Sequence, residues 1–426
     1  MQSDYDILII GGGLVGSSLA IALDDVGFRV ALVEATPLTK NNQASYDERN
    51  LALAKATVNA LTALGVWAHV ADQATPIRKI HISRQGEFGV VRLNAADHDT
   101  DAFGAVLPAR ELGNGLLTRL DACRNLVRFA PAKLQQFNLD GDAISATLAL
   151  ADSVAHVRTR LLVGADGTGS FVRCASGIET RNVDYAQTAF VCTITPQQAP
   201  DSAYERFTAD GPVALLPLSN RRAGVVLTVP AEDAPRVAAL EDDQFAGLLQ
   251  QRFGYRLGRL TRPGKRVSYP LKRVQALRVT APRTVLIGNA AQTLHPIGAQ
   301  GFNLGLRDAL TLTDLLARCA QTGADPGSTA LLDDYARDRR EDRDGTIAMS
   351  DGLARWTANE ALPLKLLRSL GLVALDRIAP LQSVLVRRGM GFRGKTPRLA
   401  LDHSPGGSTT LSPQPSALNR HEQTSA

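Results

Sequence analysis

Tyr5-Asp6-Ile7-Leu8-Ile9-Ile10 runs straight into Gly11-Gly12-Gly13-Leu14-Val15-Gly16, and few folds accept that junction. The apolar run suits a fully buried parallel strand. Gly11 permits a tight turn, Gly13 lets backbone approach a pyrophosphate, and Gly16 allows close helix–strand packing. The helix expected over Ser17 to Val26 starts where unpaired N–H groups and a positive dipole favour phosphate. Gly27 closes it, and Phe28-Arg29-Val30-Ala31-Leu32-Val33 reads as a second strand. That strand ends at Glu34, placed to accept hydrogen bonds from ribose hydroxyls. Strand, glycines, helix, second strand and terminal acid agree on a dinucleotide site, where a lone glycine pattern would be weak. The acid disfavours a 2′-phosphate, so the site suits FAD or NAD better than NADP.

A chain of 426 residues with 44% apolar content is long enough for two or three cooperating domains. The formal charge of +5 is too small an excess to argue for nucleic acid, and none is expected as a partner. Cys123, Cys174, Cys192 and Cys319 are scattered without CxxC spacing, so neither a metal site nor a disulfide framework is expected. The N-terminus carries no signal-peptide pattern. No uninterrupted apolar run approaches the roughly 18–20 residues of a spanning helix. A cytoplasmic protein, soluble or peripheral on the inner face of the cytoplasmic membrane, is the expectation.

Two later segments separate a nicotinamide dehydrogenase from a flavoprotein. Arg160-Leu161-Leu162-Val163-Gly164-Ala165-Asp166-Gly167 reads as a buried strand ending in Gly and Asp, with Ser170 and Arg173 where a helix opens. The same residue types also make a plain strand-to-helix turn. Thr284-Val285-Leu286-Ile287-Gly288-Asn289-Ala290-Ala291 reads as a third such strand. It leads through His295-Pro296-Ile297-Gly298-Ala299-Gln300-Gly301-Phe302-Asn303-Leu304-Gly305 into a long helix. A helix opened by Gly301, with Asn303 beside it, presents N–H donors to an electron-rich group such as the N1–C2=O edge of a reduced flavin.

In this order and spacing the three segments resemble the para-hydroxybenzoate-hydroxylase class of flavin monooxygenases. Asp47-Glu48-Arg49-Asn50-Leu51-Ala52-Leu53-Ala54, Pro108-Ala109-Arg110-Glu111-Leu112 and the stretch from Gly288 to Asp308 are similar to one branch, the ubiquinone-biosynthesis hydroxylases, and most of all to its methoxyphenol hydroxylases. The resemblance covers about residues 4 to 393. It implies an α/β fold: a Rossmann-like FAD-binding domain, an interleaved antiparallel β-sheet substrate domain and a C-terminal helical segment. It implies that Gly11, Gly12, Gly13, Leu14, Val15, Gly16 and Glu34 hold the ADP part of FAD, and that Asp166 contributes to the cofactor. Arg49 and Arg110 are expected to hold the flavin. Asn289 stands where the class has an acid on the ribityl chain, and an amide still hydrogen-bonds a hydroxyl there. Gln300, Gly301, Phe302 and Asn303 are expected at the flavin edge.

The resemblance further implies NADPH or NADH as a transient co-substrate, O₂ adding at C4a of the flavin, and oxygen transfer from that hydroperoxide to a polyprenylated methoxyphenol. There is no second strand–GxGxxG–helix unit for the nicotinamide. The lipid substrate and a ubiquinone-biosynthesis enzyme complex are the implied partners. Pro296 is expected to shape the reaction cavity through its carbonyl. His295 either assists phenol deprotonation or is a hydrogen-bonded structural histidine. Hydroxylation of another small aromatic, or a non-catalytic FAD-bearing scaffold, are the alternatives.

Between these segments the texture changes. Arg78–Arg84 and Gly89–Leu93 alternate about Gln85-Gly86-Glu87, as in a β-hairpin, and Ala189–Thr195, Tyr204–Thr208, Val213–Pro217 and Ala223–Val229 read as further short strands. The expected division is an FAD-binding domain over 1–73, 104–178 and 270–355, with a substrate domain over 74–103 and 179–269. A helical segment over 356–402 and a disordered tail over 403–426 follow. Within 361–398, thirteen Leu, Ile and Val residues accompany Lys365, Arg368, Arg377, Arg387, Arg388, Arg393, Lys395 and Arg398 against the single acid Asp376. Such a basic amphipathic helical pair either lies on an anionic membrane surface or packs on the FAD domain with a solvated basic rim.

Overall fold

The computed structural model describes residues 3–40, 49–358 and 362–401. Asp47, Glu48 and the expected tail over 403–426 lie outside the described residues. Along the chain run β1 (Tyr5–Ile10), α1 (Leu14–Ala22), β2 (Val30–Val33), β3 (Asn50–Ala54), α2 (Lys55–Ala63), β4 (Thr75–Pro76), β5 (Lys79–Arg84), β6 (Val90–Asn94), β7 (Gly104–Pro108) and α3 (Ala109–Asp121). Then come β8 (Leu126–Phe129), β9 (Ala132–Asp140), β10 (Ala143–Leu150), β11 (Val154–Gly164), α4 (Phe171–Ala175), β12 (Thr180–Pro196), β13 (Ala203–Thr208), β14 (Gly211–Pro217) and β15 (Ala223–Pro230). The remainder is α5 (Ala234–Ala238), α6 (Asp242–Phe253), β16 (Leu260–Thr261), β17 (Val267–Ala276), β18 (Thr280–Ala281), β19 (Thr284–Leu286), β20 (Gln292–Thr293), α7 (Gln300–Thr322), α8 (Thr329–Ala358), α9 (Leu362–Arg377) and α10 (Ala379–Gly389).

The first sheet has the order β18-β19-β11-β1-β2-β8. Its central strands are parallel, β1 lying between β11 and β2. Ile7, Leu8 and Ile9 are fully buried in a core that also takes in residues of α1, α3, α7 and the β9–β10 hairpin. β11 does two jobs: its first half pairs antiparallel with β10, and its second half pairs parallel with β1 and β19. Helix α1 begins at Leu14, directly after Gly13, and stops at Ala22, so it starts and ends earlier than the apolar spacing predicts. A turn through Leu23–Val26 and Gly27 (φ +95°) covers the rest.

The second sheet has the order β20-β17-β12-β15-β14-β13-β5-β6. It combines an early hairpin with strands drawn from more than a hundred residues later, joined by the parallel pairing of β5 with β13. Helix α6 covers one face, where Phe190, Val213, Leu215, Leu227, Phe245 and Leu249 form a separate buried core. The small third sheet, β3-β7-β4, lies between the two.

Helices α9 and α10 meet at a 91° bend. Leu372, Leu375, Leu385 and Val386 pack on the β5–β6 side of the second sheet. Arg368, read from sequence as part of a basic rim, is instead buried: Glu87 of the hairpin pairs with both Arg84 (2.8 Å) and Arg368 (2.5 Å). A desolvated acid between two guanidiniums holds the helix to the hairpin.

Candidate functional site

Two segments far apart in sequence meet around one side chain. Val15, on the first turn of α1, fits against the bare backbones of Gly288 and Gly305. A Cβ on Gly305 would stand 2.9 Å from Val15 Cγ2 and 3.0 Å from Gly288 Cα. Within the first segment, a Cβ on Gly16 would collide with the Gly11 carbonyl at 1.9 Å, and Gly11 itself (φ +107°) lies against the Ala165 backbone. Here glycine is a steric requirement.

The electrostatics of the helix starts are alike. Neither α1 nor α7 has a side-chain cap or an acid in its first turn, so the free N–H groups of each keep their positive end. The Glu34 carboxylate is fixed beside α1 by accepting from Gly12 N at 2.7 Å and from Thr36 N and Oγ1 at 3.0 and 2.9 Å. Asn289 is exposed on the turn after β19, and its side chain has no partner among the described residues. A Cβ on Gly301 would meet open space, and the preceding bend places Gly298 (φ +70°) and Ala299 (φ +51°) in the left-handed region. Uncapped donors, an anchored acid beside the first, an exposed amide and an open glycine at the second fit a dinucleotide flavin lying from α1 to α7.

Several residues read from sequence as cofactor ligands have their side chains committed elsewhere. The Asn303 amide, 1% exposed, accepts from Ala54 N and Thr57 Oγ1 (2.9 and 2.7 Å) and donates to Ala52 O and Ala299 O (2.9 and 2.8 Å). All its capacity is used, so the side chain fastens α7 to β3 and α2 rather than facing a ligand. Asp166 accepts from Ser170 Oγ (2.5 Å) and Val172 N (3.1 Å), the work of a helix cap. The buried Gln300 donates to Gly298 O at 3.0 Å. Phe302 is half-buried against the first sheet's core. Arg49 lies over the ring of Tyr269, 5.5 Å from its centroid, bringing the β3 segment to the second sheet. Arg110 opens α3 and pairs with Glu111 at 3.1 Å.

The geometry favours the structural alternative for His295. The ring is 1% exposed and stacks edge-on to Tyr185. Nδ1 accepts from Ile297 N at 3.3 Å, leaving Nε2 to donate to Gln187 Oε1 at 3.3 Å. Burial pushes its pKa down to about 4, against a smaller upward pull from Asp351. Both nitrogens are engaged and the neutral form is favoured, so His295 shapes the turn that follows it. The Pro296 carbonyl belongs to the same turn, accepting from Ala299 N at 2.8 Å.

Sequence reading missed the support beneath the site. Asp308, 1% exposed, accepts from Gly288 N (3.0 Å), Gln292 Nε2 (2.6 Å) and Arg339 Nε (2.7 Å). Arg339 also reaches Asp342 (2.9 Å), which takes a bidentate pair from Arg307 (2.7 and 3.1 Å). Burial pushes the Asp342 carboxyl up, but Arg307 and Arg339 outweigh it and hold the group below its ordinary value. Arg173 joins the second segment to the third, donating to Ala290 O and Thr168 O (2.9 and 2.8 Å). The only signal in the sequence was the density of charge on α7 and α8 at positions a helix buries.

Comparison with known proteins places this geometry. The family described as FAD binding domain matches residues 4–348. The chain is 36% identical to the ubiquinone hydroxylase UbiL of Rhodospirillum rubrum, over 91% of this chain and 89% of the relative. It is 32% identical to the 3-demethoxyubiquinol 3-hydroxylase of Escherichia coli, over 91% and 98%. Among solved structures it is similar in fold to the p-nitrophenol 4-monooxygenase PnpA of Pseudomonas putida (TM-score 0.76, 18% identity, 93% of this chain and 100% of that one). It is likewise similar to the anhydrotetracycline hydroxylase OxyS of Streptomyces rimosus (TM-score 0.70, 22% identity, 91% and 75%).

Proposed function

Because the chain belongs to the FAD-binding-domain family, we propose that it is an NAD(P)H- and O₂-using monooxygenase that hydroxylates a polyprenylated methoxyphenol in ubiquinone biosynthesis. The observation that carries this reading is the near-full-length similarity to two enzymes named for ubiquinone hydroxylation, on a fold whose first glycine-bearing segment packs against the second at Gly11 and against the third at Val15. In the net reaction one ring C–H becomes C–OH, the second oxygen atom leaves as water, and NAD(P)H supplies two electrons. FAD, when bound, supplies the redox and oxygen-activating chemistry.

The chain's own groups bind, orient and exclude water. The first-turn amides of α1 take the pyrophosphate and Glu34 the ribose. Asn289 takes a ribityl hydroxyl, and the amides opening α7 face the electron-rich edge of the ring system. Arg49 holds the β3 segment against Tyr269, closing the gap between the two sheets. His295, neutral and doubly hydrogen-bonded, fixes the Pro296–Ala299 turn before α7.

An apolar ridge supports a lipid substrate. Leu366, Leu367, Leu370, Ile378, Leu381 and Val384 on the α9–α10 elbow are 43–59% exposed. Arg377, Arg387 and Arg388 are exposed around them. No single helix among the described residues is long and apolar enough to cross a membrane. The elbow suits peripheral contact with an anionic bilayer, its leucines at the acyl boundary and its arginines at phosphates.

The test is turnover of FAD-loaded protein with NADPH, isotope-labelled O₂ and a short-prenyl methoxyphenol. The phenol should accelerate flavin reduction, and the product should carry one labelled oxygen. Product formed without O₂, or unlabelled product, overturns the reading.

A further inference from the structure

The second sheet is asymmetric in a way the fold alone does not require. On the α6 side, Phe190, Cys192, Val213, Leu215, Val225 and Leu227 are all buried. Their neighbours on the other side, Val191, Val226, Ala214 and Ile82, are only half-buried, and register places them in one row across β12, β15, β14 and β5. A fifth member occupies the row between Ala214 and Ile82: Glu205 of β13.

This open face looks toward the flavin-side segments. Tyr269, under Arg49, shares it through pairing with Ala189, two residues from Val191. Gly224, two residues from Val226, comes so close to Asn50 that a Cβ would stand 2.7 Å from its Nδ2. Helix α8, tied to β12 and β17 by Asp351, also contacts β13. From Val191 to Glu205 is three strand spacings, about 14 Å, room for one substituted aromatic ring.

Glu205 has neither a hydrogen bond nor an ion pair among the described residues. Glu205 is half-buried, so its carboxyl is partly withdrawn from water with no protein donor to replace it. We propose that Glu205 is a substrate-positioning residue whose carboxylate accepts a hydrogen bond from the ring hydroxyl of the phenol, on the apolar platform of Ile82, Ala214, Val226 and Val191. Burial pushes its pKa up to about 7, so a carboxylate is available at neutral pH and gains most from a donor brought by the ligand. The inference rests on the phenol-hydroxylase reading and adds the group that recognises the phenol.

The experiment titrates the flavin absorbance change of FAD-loaded protein with a short-prenyl 2-methoxyphenol and, separately, with its methyl ether, which has no hydroxyl donor. Wild type should prefer the phenol by about tenfold or more. Glu205→Leu should bring the two ligands to within about twofold, and Glu205→Gln, whose amide oxygen still accepts, should keep part of the preference. An undiminished preference in Glu205→Leu, or none in wild type, overturns the inference. Hydroxylation by wild type with the preference intact in Glu205→Leu sinks this inference alone. A Glu205-dependent preference without oxygen incorporation sinks the hydroxylase reading alone, and binding of neither compound counts against both. FAD content and thermal midpoint identify a misfolded variant; if Glu205→Leu misfolds, Glu205→Gln carries the comparison, and a preference equal to wild type in it overturns the inference.

Discussion

The backbone N–H of Gly288 donates to the Asp308 carboxylate at 3.0 Å, so the turn that presents Asn289 hangs from a charge buried inside α7. The same carboxylate receives Gln292 and Arg339. Removing one partner of such a network leaves an uncompensated buried charge, at about 3–5 kcal/mol. Asp308→Ala should lower the thermal midpoint and release FAD. Calorimetry and the flavin-to-protein absorbance ratio check both, and unchanged FAD retention would show that the network does not support the site.

The contact between Val15 and Gly305 predicts a rescue. Gly305→Ala places a methyl group 2.9 Å from Val15 Cγ2, overpacking that costs about 1–3 kcal/mol. Val15→Ala alone leaves a small void. The double variant should recover part of the stability and FAD affinity lost in Gly305→Ala, and additive losses in a double-mutant cycle would refute the direct contact.

His295 predicts a pH effect on stability rather than on rate. Its folded pKa of about 4 lies below the unfolded value of about 6.5, so the unfolded chain binds the extra proton between them. Stability should therefore fall as pH drops from about 6.5 towards 4, by roughly 3 kcal/mol at the acid limit. His295→Gln should flatten that slope in unfolding experiments. The kcat/KM profile between pH 6 and 8 should contain no ionisation that this substitution removes.

The α9–α10 elbow predicts salt-sensitive membrane binding. Wild type should float with phosphatidylglycerol vesicles and less so as ionic strength rises. Leu370→Glu combined with Val384→Glu, at positions 59% and 49% exposed, should abolish flotation while sparing FAD content and turnover of a short-prenyl phenol. Flotation unaffected by the pair would move the contact elsewhere.

What was legible in sequence was whatever local spacing determines. The β1–glycine–α1 junction and the β5–β6 hairpin follow from short-range pattern, and the structure forms both. Partnerships made only in three dimensions were not legible. Asn303 looks like a ligand until β3, 249 residues earlier, is seen to use its amide oxygen. Asp308 and Arg339, 31 residues apart on two helices, carry no local signal that each is buried against the other. Glu205 sits in an ordinary alternating strand, and only the register of its neighbours reveals which face it shares.

The Arg84–Glu87–Arg368 triplet bears on where this chain can be shortened. Glu87 stands between guanidiniums from its own hairpin and from α9, with its side chain 5% exposed. Deleting α9 and α10 would strip a counter-charge from that acid and uncover Leu93 and Val91 at the sheet's edge. A protein trimmed there to improve handling would trade a greasy elbow for a frayed edge strand, and is expected to aggregate by strand pairing instead.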